Sequence, residues 1–459
     1  MKRLRNPETL AWGALALLAL YVFAVAVFGT GWTWALYDEL KWVGEYVRDQ
    51  GSFWSYLQDD WASGRVRPTS IFAAYSKFWA FGFQPHVLRI VRVFEWLAFA
   101  GLFAMVLRRI CGVHWLWAAL GTALALKSPP LMEQIRFFDL SELTALWLFC
   151  AGWLLRSHSR WAALPVLVIA GLSKESMPLL LLLPPLFEKR WKELAATAAT
   201  VGGFLLYLYL HRTGYTAQYQ AKGMNPVVLR EILFQGLVDV AFVLPLLVLA
   251  LPFFTKPRST KFWAHPQLWG AASTAVVAIA YGVIVFPMAW GYTYIFAPVT
   301  TLAAAAVACL CAAALPEPRF SKGPATVILT ALAVLTTVGA SARAGRNWHR
   351  THQSSQLRAE MFRAAQPLTE KGSLGSNCSS DSRSITYAAQ LLVRTPFDAR
   401  RDGPYCIYES ESLADCCRGV SHVVIGSECA APELRHQQLA MAGVEPLFAN
   451  ERWSIYPCP

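Results

Sequence analysis

The chain has 459 residues, of which 55% are hydrophobic, 13% aromatic and only 15% charged. A soluble chain carries roughly 25% charged residues, so these proportions, with 19 tryptophans and a mean hydropathy of +0.36, exclude a string of soluble domains and indicate a polytopic membrane protein. The formal charge of +12 does not indicate nucleic acid, because Lys and Arg sit in short clusters between apolar runs and present no basic face.

A bilayer core about 30 Å thick takes roughly 20 apolar residues per helix. The first run is Ala11 to Gly29, behind Met1-Lys2-Arg3-Leu4-Arg5. It is longer than a signal-peptide core and lacks a small-residue cleavage site, which favours an uncleaved helix. Further runs follow at 86–108, 113–127, 138–155, 161–173, 175–187, 194–210, 233–254, 266–286, 290–314 and 323–342, for about eleven spans. Those at 113–127 and 161–173 are short.

With the N-terminus inside, the inner connections hold Arg108-Arg109, Arg156 with Arg160, Lys189-Arg190 with Lys192, Lys256 with Arg258 and Lys261, and Arg319 with Lys322. Every one is basic, as the positive-inside rule requires. The outer connection at 287–292 has no Lys or Arg, and an odd number of spans places the C-terminus outside.

Charged groups in or beside apolar spans are costly, so each is a candidate for function. In chain order, the large first outer loop, 30–85, opens with Trp34 to Val47, which reads as an interfacial amphipathic helix holding Asp38 and Glu39. A carboxylate at the membrane face is a candidate general base or metal ligand; a solvated pair capping that helix is the plainer use. Phe53 to Trp61 is a second interfacial stretch. Next comes Gly64-Arg65-Val66-Arg67-Pro68, whose two guanidiniums could clamp a phosphate or anchor lipid headgroups.

Arg89, Arg92 and Glu95, near the start of the second span, are most simply an intrahelical salt-bridge set. Glu133, Arg136, Asp139 and Glu142 surround the outer end of the fourth span, the last three at helical spacing on one face. They read as an ion-pair network or as the wall of a polar cavity. Ser173-Lys174-Glu175-Ser176 is wedged between apolar runs, where a lysine could snorkel to headgroups or bind an anion. Tyr292 and Tyr294, in Trp290-Gly291-Tyr292-Thr293-Tyr294, belong to an aromatic belt unless they line a cavity.

After residue 343 the composition changes. Cys378, Cys406, Cys416, Cys417, Cys429 and Cys458 all lie there, whereas Cys111, Cys150, Cys309 and Cys311 lie in or beside spans. Six cysteines in a polar tail fit disulfides in an oxidising compartment, with 15 possible pairings. Zinc is the weaker reading, since no paired CxxC spacing is present. Ser421–Ile425 and Trp453–Tyr456 read as strands and 384–394 as helix. The expected architecture is therefore an all-α transmembrane bundle over 1–342 and a small disulfide-bearing α/β domain over 343–459, outside the membrane.

The order of these elements resembles the polytopic GT-C glycosyltransferases that use polyprenyl-phosphate sugars, among them protein O-mannosyltransferases and aminoarabinose transferases. Tyr37-Asp38-Glu39-Leu40 looks like their acidic first-loop motif, and the stretch from Arg67 (RPTSIFAAYSKFWAFGFQPHVLRIVRVFEW) like the segment entering their second helix. Ser173 to Ser176 (SKES) looks like a lysine-glutamate element and 291–298 (GYTYIFAP) like a late aromatic-proline motif. The resemblance covers most of residues 10–300 and the tail less well.

It implies an inverting transfer from a polyprenyl-phosphate-linked sugar to a lipid, polysaccharide or protein acceptor at the outer face of the inner membrane. Asp38 would be the acceptor-activating base or a carboxylate on Mg²⁺ or Mn²⁺, with Glu39 beside it. Arg65, Arg67 and Lys174 would hold the donor phosphate, and Arg136, Asp139, Tyr292 and Tyr294 would line the cavity. A flippase or transporter of lipid-linked sugars is the first rival, although the paired broken helices of transporters are not found. A non-catalytic assembly protein is the second.

Overall fold

The computed structural model describes residues 7–29, 32, 46, 51–62, 65–137, 141–211, 265–285, 294–316, 323–369, 374–376, 421–426 and 432–458. Asp38, Glu39, Asp139, Tyr292, the span expected at 233–254 and the helix expected at 384–394 lie outside the described residues, as does nearly all of the expected interfacial helix 34–47.

The first helix, α1 (Pro7–Phe28), is apolar all round, as a helix between protein and lipid must be. Ala11, Leu15, Leu18, Val22 and Ala26 are buried on one stripe, while Leu17, Leu20 and Phe28 are exposed. Next come α2 (Phe53–Ala62) and α3 (Pro68–Phe81). The sequence reading treats 68–81 only as the approach to the second span, but it is a separate helix. Pro68 fits the first turn, where its missing N–H costs nothing. Ile71, Ala74, Tyr75 and Phe78 form the buried stripe, and Gly82, at φ +63, ends the helix by donating its N–H to the Phe78 carbonyl at 2.8 Å.

The bundle continues with α4 (Pro85–Met105), which runs into a π-helical turn at Val106–Ile110, and α5 (Trp115–Leu126). Every residue of α5 from Leu116 to Leu126 is buried, so this short helix sits at the centre. Then come α6 (Pro129–Arg136) and α7 (Ser141–Arg156), bent by 109° at their junction. This break corrects one expectation. Arg136 and Glu142 do not share a helical face, because Phe137 is extended and α7 starts afresh at Ser141.

Beyond them lie α8 (Arg160–Gly171), a 3₁₀ turn at Met177–Leu182, α9 (Leu183–Phe187), α10 (Trp191–His211), α11 (Pro266–Val285), a 3₁₀ turn at Tyr294–Phe296 and α12 (Ala297–Ala314). The run at 177–187 is not one regular helix, since Pro178, Pro184 and Pro185 remove the N–H groups an α-helix would use. Lipid tails are as apolar as leucine, so close packing of small residues holds such helices together. At Gly121 an added Cβ would lie 2.9 Å from both Ala308 Cβ and Leu107 Cδ1.

The last long helix, α13 (Gly323–Thr369), has 47 residues and packs along α1. The expected boundary at 342/343 falls inside it. Among the described residues, six helices are long and apolar enough to cross a membrane, or up to seven if the bent α6–α7 pair is one span. The expected spans at 113–127, 161–173 and 175–187 are shorter apolar helices.

Among the described residues the tail forms a four-stranded sheet of β1 (Leu374–Ser376), β2 (His422–Gly426), β3 (Phe448–Ala449) and β4 (Trp453–Pro457), in the order β1-β2-β4-β3. β1 pairs parallel to β2; the other pairs are antiparallel, with Val424 opposite Ile455. Alternation sorts the side chains. Val424, Trp453 and Ile455 pack on Met361 and Ala365 of α13, while Val423, Ile425 and Tyr456 pack on Leu439 of α14 (Pro432–Met441). Both expected strands are present.

Candidate functional site

The start of α3 is stitched to the end of α8. The last carbonyls of a helix have no partner within it, and here the residues after Pro68 supply them. The Thr69 N–H donates to the Leu172 carbonyl at 3.3 Å, the Thr69 hydroxyl to the Ile169 carbonyl at 2.7 Å, and the Ser70 hydroxyl to the Ser173 carbonyl. These bonds bring the GRVRP segment against SKES.

Arg67 and Glu175 meet there. The Arg67 guanidinium grips Asp60 with two nitrogens, Nη2 to Oδ1 at 2.7 Å and Nε to Oδ2 at 3.3 Å, and its Nε lies 3.7 Å from Glu175 Oε1. Burial disfavours the cation, but the attraction of Asp60 and Glu175 outweighs it and holds the Arg67 pKa above the usual guanidinium value. Arg65 directs its backbone N–H to the Asp60 carbonyl at 2.9 Å, so both arginines close the loop back on the end of α2.

Lys174 is paired with Glu142, in the first turn of α7, and its Nζ lies 5.3 Å from the ring centre of Tyr294, a cation–π contact. Glu142 is fully buried, and Gln134 organises its surroundings. The Gln134 amide nitrogen donates to Glu142 Oε2 at 3.3 Å and to the Tyr294 carbonyl at 3.2 Å. Its amide oxygen accepts from the Leu143 N–H at 3.1 Å and from Arg92 Nη2 at 2.9 Å. Both donors and both lone pairs of that amide are used.

Arg92 extends the network. Its Nε donates to the Gln134 backbone carbonyl at 2.6 Å, and its Nη1 to Thr144 Oγ1 at 3.2 Å and to Glu95. Lys77 of α3 reaches Glu95 Oε1 at 2.9 Å. The expected set within the second span is therefore partly correct: Arg92 and Glu95 do pair along the helix, but each also ties that helix to another. Beside SKES, the hydroxyls of Ser176 and Tyr281 are 2.8 Å apart.

Among the described residues the network thus holds Arg67, Lys77, Arg92 and Lys174 against Asp60, Glu95, Glu142 and Glu175. It brings Arg67, Lys174 and Tyr294, from three distant motifs, to neighbouring elements. Arg136, by contrast, has its guanidinium 5.1 Å from the Phe137 ring centre at the end of α6, next to the helix break. The apolar cavity lined by Phe103, Leu146, Phe149, Trp153 and Leu302 shares none of these charged residues. Among the described residues no three His, Cys, Asp or Glu side chains come together to hold a metal ion.

Sequence reasoning did not place Asp60, Lys77 or Gln134 in the site. Gln134 had one available signal: it is an amide beside Glu133 and Arg136, just before an apolar span.

No protein-family model matches the chain, and no curated protein matches it. Two solved structures are similar to it, each aligned over 98% of this chain and 98% of the other: ArnT from Cupriavidus metallidurans in the apo state, at 13% identity and a TM-score of 0.47, and the same protein bound to undecaprenyl phosphate, at 13% identity and a TM-score of 0.42.

Proposed function

We propose that the protein is a multi-pass membrane glycosyltransferase of the GT-C type. In this reading it transfers a sugar from a polyprenyl-phosphate carrier to an acceptor at the outer face of the cytoplasmic membrane, with inversion. The observation that carries this reading is the meeting of GRVRP, SKES and the GYTYIFAP segment, through Arg67 with Glu175 and Lys174 with Tyr294. A lipid-phosphate donor needs cations beside apolar helices, and this arrangement supplies both.

Asp38 would take the proton of the acceptor hydroxyl while that oxygen attacks the anomeric carbon; Glu39 would support it. The bond from that carbon to the phosphate oxygen would break, and the phosphate would leave with the electron pair. Arg67 and Lys174, with Arg65, would stabilise the charge on it, the largest electrostatic contribution in such a transfer. Arg136, Asp139, Tyr292 and Tyr294 would line the cavity. Mg²⁺ or Mn²⁺ on Asp38 belongs to the same proposal, and no step here depends on it. The basic inner connections support the orientation, which puts the tail outside. Disulfides among the tail cysteines belong to the same proposal, supported by six cysteines in a polar tail placed outside.

The test is an assay of purified protein in detergent with radiolabelled polyprenyl-phosphate sugars and membrane extract. Wild type should move label to a new acceptor, and Asp38→Asn should lower the rate about a hundredfold or more, the usual worth of a general base. Full activity in the variant would remove Asp38 as base; no transfer from any donor would remove the transferase reading. One observation favours the non-catalytic rival: every described cation of the network already has a carboxylate partner.

A further inference from the structure

We propose that Glu175 is the internal counter-ion that a phosphate group displaces from Arg67, so that this residue tunes how tightly the carrier lipid is held and how readily it leaves. The inference rests on the donor reading given above and deepens it. Its basis is the unequal hold of two carboxylates on one guanidinium.

Asp60 binds Arg67 through both oxygens, at 2.7 and 3.3 Å, and its side chain is only 3% exposed. Glu175 approaches through one oxygen at 3.7 Å, and its side chain is 27% exposed. A bidentate, buried carboxylate is fixed by geometry and by the cost of leaving its partner uncompensated. A single long contact at a partly wetted site is weak, and its carboxylate can return to water at little cost. Of the two, Glu175 is therefore the one an incoming anion replaces.

Its position strengthens the argument. Glu175 follows Lys174 directly, so a group that takes its place on Arg67 comes to the stretch of chain that carries the ammonium. Lys174 is itself 21% exposed, whereas its partner Glu142 is fully buried. Glu142 and Asp60 thus act as positioning residues that keep the two cations in place, while Glu175 is exchangeable.

Charge makes the exchange directional. A sugar phosphodiester carries one negative charge, the same as the carboxylate it would displace, so donor binding leaves the charge facing Arg67 unchanged. After transfer the lipid is a monophosphate with a second ionisation near neutral pH, as for other phosphomonoesters. Arg67 then faces more negative charge than it does with Glu175 in place, and return of Glu175 favours release.

The experiment measures binding of a polyprenyl monophosphate to the full-length protein in detergent by thermophoresis, with the uncharged polyprenol as control. Glu175→Gln should bind the monophosphate about three- to tenfold more tightly than wild type, the range expected for losing one partly exposed competing ion pair. The gain should vanish in the Arg67→Gln background, and polyprenol binding should not change. Glu175→Ala gives a second reading, with thermal unfolding recorded for each variant. If wild type prefers the monophosphate but the Glu175 variants bind it equally or more weakly, the inference is overturned and the donor reading stands. If neither wild type nor variants prefer monophosphate over polyprenol, the donor reading fails as well.

Discussion

The two ends of α7 carry ion pairs of the same chemistry in opposite surroundings. At the start, Glu142 is fully buried, paired with Lys174 and fixed by Gln134. At the end, Arg156 meets Glu188 at 2.7 Å and Glu193 at 2.6 Å, carboxylates that are 29% and 31% exposed, and Arg190 also pairs with Glu193. The second set has the better pairing on paper, with more contacts to one guanidinium. Its partners keep water, however, so the charges gain little by meeting. At the first end the carboxylate, rather than the cation, has given up hydration: Glu142 is fully buried while Lys174 keeps 21% exposure, so Glu142 depends on its partners. Burial of the carboxylates, rather than the number of contacts, is expected to set the order.

That ordering is open to direct test, beginning with the buried end. Glu142→Ala leaves the Lys174 ammonium beside a fully buried gap and the Gln134 amide short of one acceptor. The expected loss is about 3 kcal/mol, the lower part of the range for breaking a buried pair, because Lys174 keeps some exposure. Unfolding in detergent measures it. Adding Lys174→Met should recover much of the loss, since a matched apolar replacement removes the stranded charge. A loss within about 1 kcal/mol for Glu142→Ala would make the two ends alike and end the contrast.

The next effect belongs to the amide. Gln134→Ala removes no charge but deprives the Leu143 N–H, the Tyr294 carbonyl and Glu142 of a partner at once. A loss of about 2 kcal/mol is expected from groups left buried and unsatisfied. Gln134→Glu separates geometry from polarity: it has the right shape but sets a second carboxylate beside Glu142, so it should be no better than Ala. Near-native stability for Gln134→Glu would mean that Arg92 compensates the extra charge, and the network would then be more adaptable than its hydrogen bonds indicate.

These residues also mark how far the sequence could be read. Apolar run length located α1, α4, α7, α10, α11, α12 and the start of α13, because lipid imposes a nearly uniform requirement on a spanning helix. The helical spacing of Arg136, Asp139 and Glu142 does not reveal the break between α6 and α7, which only the extended backbone at Phe137 marks. Run length missed α3 as a separate helix, though Pro68 and Gly82 bracket it, because the outer loop was read by its charges. Lys174 and Arg67 were found as charges in costly places. Of their partners, Glu142 also stands out as a costly charge, but nothing in the sequence pairs it with Lys174, and Asp60 is ordinary in local sequence; only the stitching of α3 to α8 and the bend before α7 bring them to the cations.

The smallest effect is expected at the far end of α7, and it is the most informative control. Arg156→Ala removes contacts to two carboxylates, yet it should cost only about 1 kcal/mol or less, because the Arg156 charge goes with the side chain and the carboxylates left behind keep water. The mechanism predicts a second property. Glu188 and Glu193 sit within reach of mobile ions, so raising the salt toward 1 M, where the screening length is about 3 Å, should shrink even that cost. The cost of Glu142→Ala should hardly change over the same range, because ions cannot follow the charge into the bundle. If salt instead reduced both costs in proportion, Glu142 would have to be wetted in the working protein. The division between a fixed buried set and a solvated one would then be lost, and with it the reason for treating Glu142 as a fixed support for Lys174.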